Sequence, residues 1–336
     1  MIDSGSSIAV VGLGVVGGRV ARQLASSGHR VVVFDRQHDR ARRIAEVSNI
    51  QHVRDPGSLD PGITPVVVLA TGDPQRPWAE ILVESGHHVV ATSDDIDDVR
   101  DLVELDETAR RRQRTVIVGA AASPGLTGLL VAELASRVDA VDEIHVAFHG
   151  TGGPACARQH HLALAGEAWG WHDGEWIRRP GGSGRDLLWF PEPIGGKDCY
   201  RAALADPILL HDVFPSASRI SARMSANRRD RFTSRLPMLS PPHPEGGIGG
   251  VRVEVRGSRH GERRTEVAGV AERTGIIAAA VAAACGHYVW SASNGESRPL
   301  PSGAIGLGSS SIDNRLLVDD VIHRGITVFE YVGSRG

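Results

Sequence analysis

Residues 8–19 read Ile8-Ala-Val-Val-Gly-Leu-Gly-Val-Val-Gly-Gly-Arg19, and residues 31–35 read Val31-Val-Val-Phe-Asp35. The apolar run from Ile8 to Val11 predicts a buried parallel strand. Val16, Val20 and Leu24 then recur at every fourth position, as on one helix face, and Gly28 stands where a C-terminal cap belongs. Between strand and helix, Gly12 permits a tight turn, Gly14 lets a diphosphate approach bare backbone, and Gly17 lets helix and strand pack closely. The helix start offers unpaired amides and a partial positive charge. Asp35 ends the second strand 23 positions after Gly12, where a carboxylate can grip ribose hydroxyls. Strand, turn, helix, strand and acid in that order point to a nicotinamide-dinucleotide site. Its contacts are Gly12, Leu13, Gly14, Val15, Val16, Gly17, Asp35 and Arg36. The Asp35 carboxylate repels a 2′-phosphate and so favours NAD. Arg36 and Arg40 can stack on adenine or accept a phosphate, which leaves NADP open.

Outward from that turn, strand and helix keep alternating. Helix is expected over Asp39–Val47, Pro77–Ser85 and, as one long element, about Asp95–Arg112. Strands are expected over Ile50–Val53, Val66–Ala70, His88–Ala91 and Thr115–Gly119. Six strands with intervening helices make a doubly wound parallel sheet, whose ligands gather beyond the carboxyl ends of its strands. That rule adds Ala70, Thr71, Thr92, Ser93, Ser123 and Pro124 to the cofactor cleft. Ser123 reads as an N-cap and Pro124 as the first residue of a helix striped by Leu126, Leu130 and Leu134.

The chain has 336 residues and a net charge of -3, enough for about two domains and no signal for a polyanion partner. Neither nucleic acid nor membrane is expected. Cys156, Cys199 and Cys285 lie too far apart for a disulfide framework or a zinc-spaced cluster, so no metal is expected and a reducing cytoplasm is. No signal peptide is evident. The apolar stretch Ile276–Cys285, the core of an alanine-rich helix from Thr274, reads as too short to span a bilayer.

From about residue 140 the periodicity changes to two. Ile144, Val146 and Phe148 alternate with polar or small residues, and so do Ile220, Ala222 and Met224, and Val251, Val253 and Val255. Strands with one wet face suit a largely antiparallel sheet. Arg263–Glu272 is expected to pair back across a turn at Gly257–Gly261, and the outward arginines read as solvated surface. Residues 150–215 form an insertion holding four of the six tryptophans, with Asp173-Gly174 as a hairpin turn. The fold class is α/β with a Rossmann-type first domain at 1–122 and an α+β domain at 123–290. The segment 291–336, with a helix at Ile312–Arg324 and a strand at Gly325–Val332, is expected to return to the first domain.

Three features resemble the saccharopine dehydrogenase-like reductases. These are the Gly12 fingerprint, the strand ending Ala-Thr-Ser-Asp94, and the turn Gly119-Ala-Ala-Ala-Ser-Pro-Gly-Leu-Thr127. The resemblance implies oxidoreduction of a C–N bond in an amino-acid-derived substrate, with NAD or NADP, in a homodimer. Ala122-Ser123 replaces the acidic or aromatic residue that members often carry before the Pro-Gly pair. A carbonyl dehydrogenase and a non-enzymatic dinucleotide sensor remain as alternatives.

Hydride transfer needs a proton manager beside the nicotinamide. Lys197, the only lysine, is the sharpest candidate, because a buried lysine can release a proton near neutrality. His160 and Asp94 are the other catalytic candidates; His160 and His161 sit on adjacent helical positions and cannot share a face. Arg158 and Arg201 are nominated for substrate carboxylates and His149 for a further substrate contact. Cys156 and Cys199 show no clear paired base, so a nucleophilic role is set aside.

Overall fold

The computed structural model describes residues 5–46, 49–72, 74–238 and 241–331. Val47 and Val332, where a helix and a strand were expected to end, lie outside them. In chain order the first elements are β1 (Ser7–Val11), α1 (Gly17–Ser26), β2 (Arg30–Phe34), α2 (His38–Ile44), β3 (Ile50–His52), β4 (Val66–Leu69), α3 (Arg76–Glu84) and β5 (His88–Ala91). Then come α4 (Ile96–Val103), α5 (Asp106–Arg111), β6 (Thr115–Val118), α6 (Leu126–Ala135), β7 (Ala140–His149) and α7 (Pro154–Ala163). Next follow β8 (Glu167–His172), β9 (Glu175–Pro180), β10 (Asp186–Phe190), β11 (Gly195–Arg201), α8 (Asp206–Val213), β12 (Arg219–Ser225) and α9 (Arg228–Thr233). The chain closes with β13 (Ile248–Arg259), β14 (Glu262–Arg273), α10 (Thr274–Ser293), β15 (Gly303–Gly306), α11 (Asn314–His323) and β16 (Phe329–Glu330).

The chain divides into two units. The first comprises residues 1–93, 97–121 and 278–305. Among the described residues its sheet has seven strands in the order β15-β6-β5-β4-β1-β2-β3. β1 to β6 pair in parallel. Val66 to Leu69 and Val116 to Val118 are essentially inaccessible, as expected of a sheet covered on both faces. Gln75, 1% exposed, ties two strand ends together. Its side chain accepts from the Thr92 amide at 2.9 Å and donates to the Thr71 carbonyl at 3.1 Å.

The expected long helix after β5 is two helices. The chain tightens at Glu104-Leu105, and Asp106 starts α5 with its carboxylate accepting from the Ala304 amide at 3.0 Å. That bond to a late strand outweighs helical continuity. The alanine-rich helix is also longer than expected. α10 runs for 20 residues and is long and apolar enough to cross a membrane, yet 72% of its apolar window is buried within the protein. Alanines 278–280 and 282–284 make close packing possible, and Gly286 would place a Cβ 3.2 Å from Val68.

The second unit comprises residues 94–96, 122–277 and 306–336. Residues 291–305 of the closing segment fall in the first unit and residues from 306 in the second. β16 instead extends the second sheet through Glu330 and Phe329 against Ala268 and Gly269. The main path of that sheet is β10-β11-β12-β7-β13-β14-β16, with β8 and β9 branching from β12. β7 and β12 pair in parallel and the other pairs are antiparallel. The β13–β14 hairpin turns at His260-Gly261, both with positive φ (53° and 81°), a tighter turn than the five residues expected. Asp173-Gly174 makes the predicted hairpin with the same signature (47° and 89°), and it brings Trp171 opposite Trp176.

Candidate functional site

The first unit carries the dinucleotide turn. Gly12 has φ +88°, and a Cβ there would lie 2.7 Å from the Ala70 carbonyl oxygen. A Cβ on Gly17 would fall 1.8 Å from the Gly12 oxygen, so the helix can start only on glycine. Gly14 differs: it is exposed and its Cβ direction meets nothing within 4 Å. That open approach, beside the N-terminus of α1 and the positive end of its dipole, fits a diphosphate. Asp35 is 8% exposed and braces the turn. One carboxylate oxygen accepts from the Leu13 amide and the other from the Gln37 amide, both at 2.7 Å. Arg40 lies 3.5 Å from the same carboxylate, while Arg36 is exposed. Val15 and Val16 are half-buried along the turn; the Val15 carbonyl accepts from Arg19 at 2.8 Å. Ala70, Thr71, Thr92 and Ser93 follow the ends of β4 and β5.

In the second unit the structure brings Asp94 and His160 together and adds Cys156. Cys156 and His160 are four apart on α7 and so share one face. His160 Nε2 lies 3.5 Å from Cys156 Sγ and 3.4 Å from Asp94 Oδ2, and Sγ lies 3.6 Å from Oδ2. The other ring nitrogen, Nδ1, is 3.2 Å from the Gly150 carbonyl oxygen. The ring is 6% exposed and stands edge-on to Phe148, centroids 4.9 Å apart. Burial works against a charged imidazole here, but the neighbouring Cys156 sulfur and Asp94 carboxylate raise its pKa well above the ordinary histidine value.

A buried carboxylate, Asp206, lies within reach of the Asp94 charge. Its oxygens accept from Ser123 Oγ at 2.7 Å and Thr127 Oγ1 at 2.5 Å. Burial raises its pKa against those two hydrogen bonds, and the charge of Asp94 adds to the rise. Ser123 therefore does not cap α6. Gly125, with φ +128°, is the N-cap, the helix starts at Leu126, and Pro124 precedes it by two residues. A buried carboxylate outcompetes the helix end for the hydroxyl.

Other expected site residues fall elsewhere. Arg158 is exposed, two positions from Cys156 and so on the far side of α7. His161 turns outward to the Leu236 carbonyl at 2.8 Å. Lys197 pairs with Leu188, which packs with Ala147 and Cys199. By strand alternation this is the sheet face opposite Phe148 and His160. His149 is on that opposite face too, 2.6 Å from Ser225 Oγ. Burial lowers its pKa, as does the nearby Lys197 charge. Arg201, two residues beyond Cys199, shares the same face. The arginines there are not simply solvated. Arg252 and Arg256 both bond Glu254, which is 8% exposed, and Arg256 also reaches Glu143 at 3.1 Å.

Sequence reasoning missed the Cys156–His160 pairing, although the i,i+4 spacing was visible. It also missed Asp206, whose Asp-Pro start of α8 reads as an ordinary helix N-terminus, and Gln75, which carries no local signal.

Residues 7–76 match the family described as the NAD binding domain of 6-phosphogluconate dehydrogenase. No curated protein matches the chain by sequence. Among solved structures, saccharopine dehydrogenase (L-Glu forming) from Saccharomyces cerevisiae aligns over 98% of this chain and 100% of its own, at TM-score 0.68 and 13% identity. An engineered D-amino acid dehydrogenase bound to NADP+ aligns over 96% and 99%, at TM-score 0.53 and 16% identity. C. glutamicum DAP dehydrogenase in complex with DAP aligns over 96% and 99%, at TM-score 0.51 and 16% identity. The first unit is accordingly an NAD(P)-binding domain, and the chain has a saccharopine dehydrogenase-like fold.

Proposed function

We propose that the chain is an NAD(P)-dependent oxidoreductase acting on the C–N bond of an amino-acid-derived substrate. One observation carries this: a dinucleotide turn with an open Gly14 shares the chain with a buried imidazole that Asp94 and Cys156 hold ready for a proton. When bound, the nicotinamide supplies or accepts a hydride. The turn amides and the start of α1 hold its diphosphate, and Asp35 holds a ribose. The Asp35 carboxylate favours NAD, since a 2′-phosphate would meet its charge.

Asp94 follows the last residue of β5 by three positions in sequence. His160 delivers a proton to the substrate nitrogen, or removes one, and Asp94 stabilises the charged ring. Lys197, the sharpest candidate from sequence, gives way to His160 in this assignment because it stands on the other sheet face. The amino-acid substrates named for the structural neighbours support the C–N assignment.

The test is loss of reduced-nicotinamide absorbance with 2-oxo acids offered alone and then with amines. Oxidation that requires the amine supports the proposal. Oxidation by the carbonyl alone assigns the chain to carbonyl chemistry, and cofactor binding without turnover on any pair leaves a sensor.

A further inference from the structure

We infer that Asp94, Cys156 and His160 form a binding site for one Zn2+-type cation with a fourth coordination position open. The sequence suggested no metal, because only two of the three ligands, Cys156 and His160, are local and Asp94 lies 62 positions upstream of Cys156. Folding brings one oxygen, one sulfur and one nitrogen within 4.8 Å of one another.

The triangle they make has the dimensions of a metal site. Zinc bonds of about 2.3 Å to sulfur, about 2.05 Å to nitrogen and about 2.1 Å to oxygen, at tetrahedral angles, place the ligands about 3.6 Å (S–N), about 3.4 Å (N–O) and about 3.6 Å (S–O) apart. The observed separations are 3.5, 3.4 and 3.6 Å in that order. A proton shared directly between imidazole and carboxylate would draw nitrogen and oxygen to roughly 2.7–3.2 Å. The nitrogen–oxygen edge is wider than that direct hydrogen bond, and all three edges match a central ion.

The surroundings agree. Nδ1 of His160 donates to the Gly150 carbonyl at 3.2 Å, which aims Nε2 at sulfur and carboxylate. This outer hydrogen bond is the usual orienting contact of a metal-bound histidine. The ring is 6% exposed and clamped against Phe148, so its aim is fixed. A thiolate and a carboxylate together neutralise a divalent ion. Mixed sulfur, nitrogen and oxygen ligation suits Zn2+ over Mg2+ or Ca2+. Three protein ligands with a free position match catalytic rather than structural zinc sites. The metal replaces the protons that the three groups otherwise share. The site stands on the second unit's geometry and is independent of hydride transfer, but with metal on Nε2 the His160 ring no longer carries the proton, which would then pass to a group at the fourth position.

The experiment uses the full chain, stripped with chelator and titrated with Co2+ and with Zn2+. Expected are about one ion bound per chain by elemental analysis and a near-ultraviolet sulfur-to-cobalt charge-transfer band. Cys156→Ser should abolish that band and weaken binding roughly tenfold or more, as should His160→Asn for affinity, whereas Cys199→Ser and Cys285→Ser should keep both. Asp94→Asn provides a further ligand variant should either of the first two fail to fold. Absence of the band in the wild type, or equal metal retention by wild type and every folded ligand variant, overturns the site. Metal binding without turnover would leave this site standing and remove only the proposed reaction.

Discussion

A methyl group added at Gly14 separates the turn's role in folding from its role in binding. The residue lies outside the left-handed region and its Cβ direction meets nothing within 4 Å. Gly14→Ala therefore introduces no clash in the free protein. Losing glycine's freedom in the unfolded chain should even stabilise it, by about 0.4–1 kcal/mol. The same methyl occupies the space through which a diphosphate reaches the backbone. With NADH at about 100 times its Kd, the wild type gains about 2.7 kcal/mol, a rise in Tm of roughly 5 °C or more for a domain of about 150 residues. Thermal unfolding of both proteins with and without NADH reads the difference. The variant should match or slightly exceed the wild type alone and show almost no rise with cofactor. An undiminished rise would refute the placement of the diphosphate on this turn, and a fall in the free protein's Tm would refute the open space at Gly14.

Further predictions follow from neighbouring contacts. Gly17→Ala should lower Tm without ligand, since its Cβ would overlap the Gly12 oxygen at 1.8 Å; a variant as stable as the wild type would contradict the packing of α1 on the turn. Lys197→Met should leave turnover nearly unchanged and His160→Asn should reduce it at least about a hundredfold, with steady-state rates checking both; the reverse order would return the proton to Lys197. Asp206→Ala strands the buried Ser123 and Thr127 hydroxyls and should cost about 2–4 kcal/mol in urea unfolding, and a cost near zero would contradict that network. Burial, with the charges of Arg114 and His87, lowers the His88 pKa from 6.5 to about 4, and His88 Nδ1 accepts from the Thr115 amide at 3.0 Å. The unfolded chain binds the proton first, so stability is full above pH 6.5 and declines by about 3 kcal/mol as pH falls to about 4. His88→Asn, which keeps an acceptor, should flatten that part of the urea-midpoint profile against pH; an unchanged slope would exclude His88 as its source.

Much of the first unit was legible because a parallel strand buried on both faces is written as an unbroken apolar run. His88–Ala91 was read to the residue, and Val66–Ala70 overshot β4 by one. Asp173-Gly174 was legible because positive φ at two successive positions restricts the residues that fit. What escaped depends on distant partners. The split between α4 and α5 answers an amide 198 residues away in sequence, and Ser123 bonds a carboxylate 83 positions on. For the same reason His160 and Asp94 were both nominated, but their meeting with each other and with Cys156 was not. One of the His160 contacts comes from Asp94, 66 positions earlier, which in sequence is an acid past a strand end and near a helix start. Lys197 drew attention by rarity, and rarity carries no information about which face of a sheet a residue occupies.

The central claim is that this chain moves a hydride to or from a carbon bonded to nitrogen. The most direct measurement supplies NADH deuterated at the transferring position, with 2-oxo acid and amine pairs, and reads the product by mass spectrometry. The account predicts an amine carrying one deuterium on the carbon that bears nitrogen. Deuterium appearing in an alcohol instead, or remaining entirely on the cofactor with every pair, would contradict it.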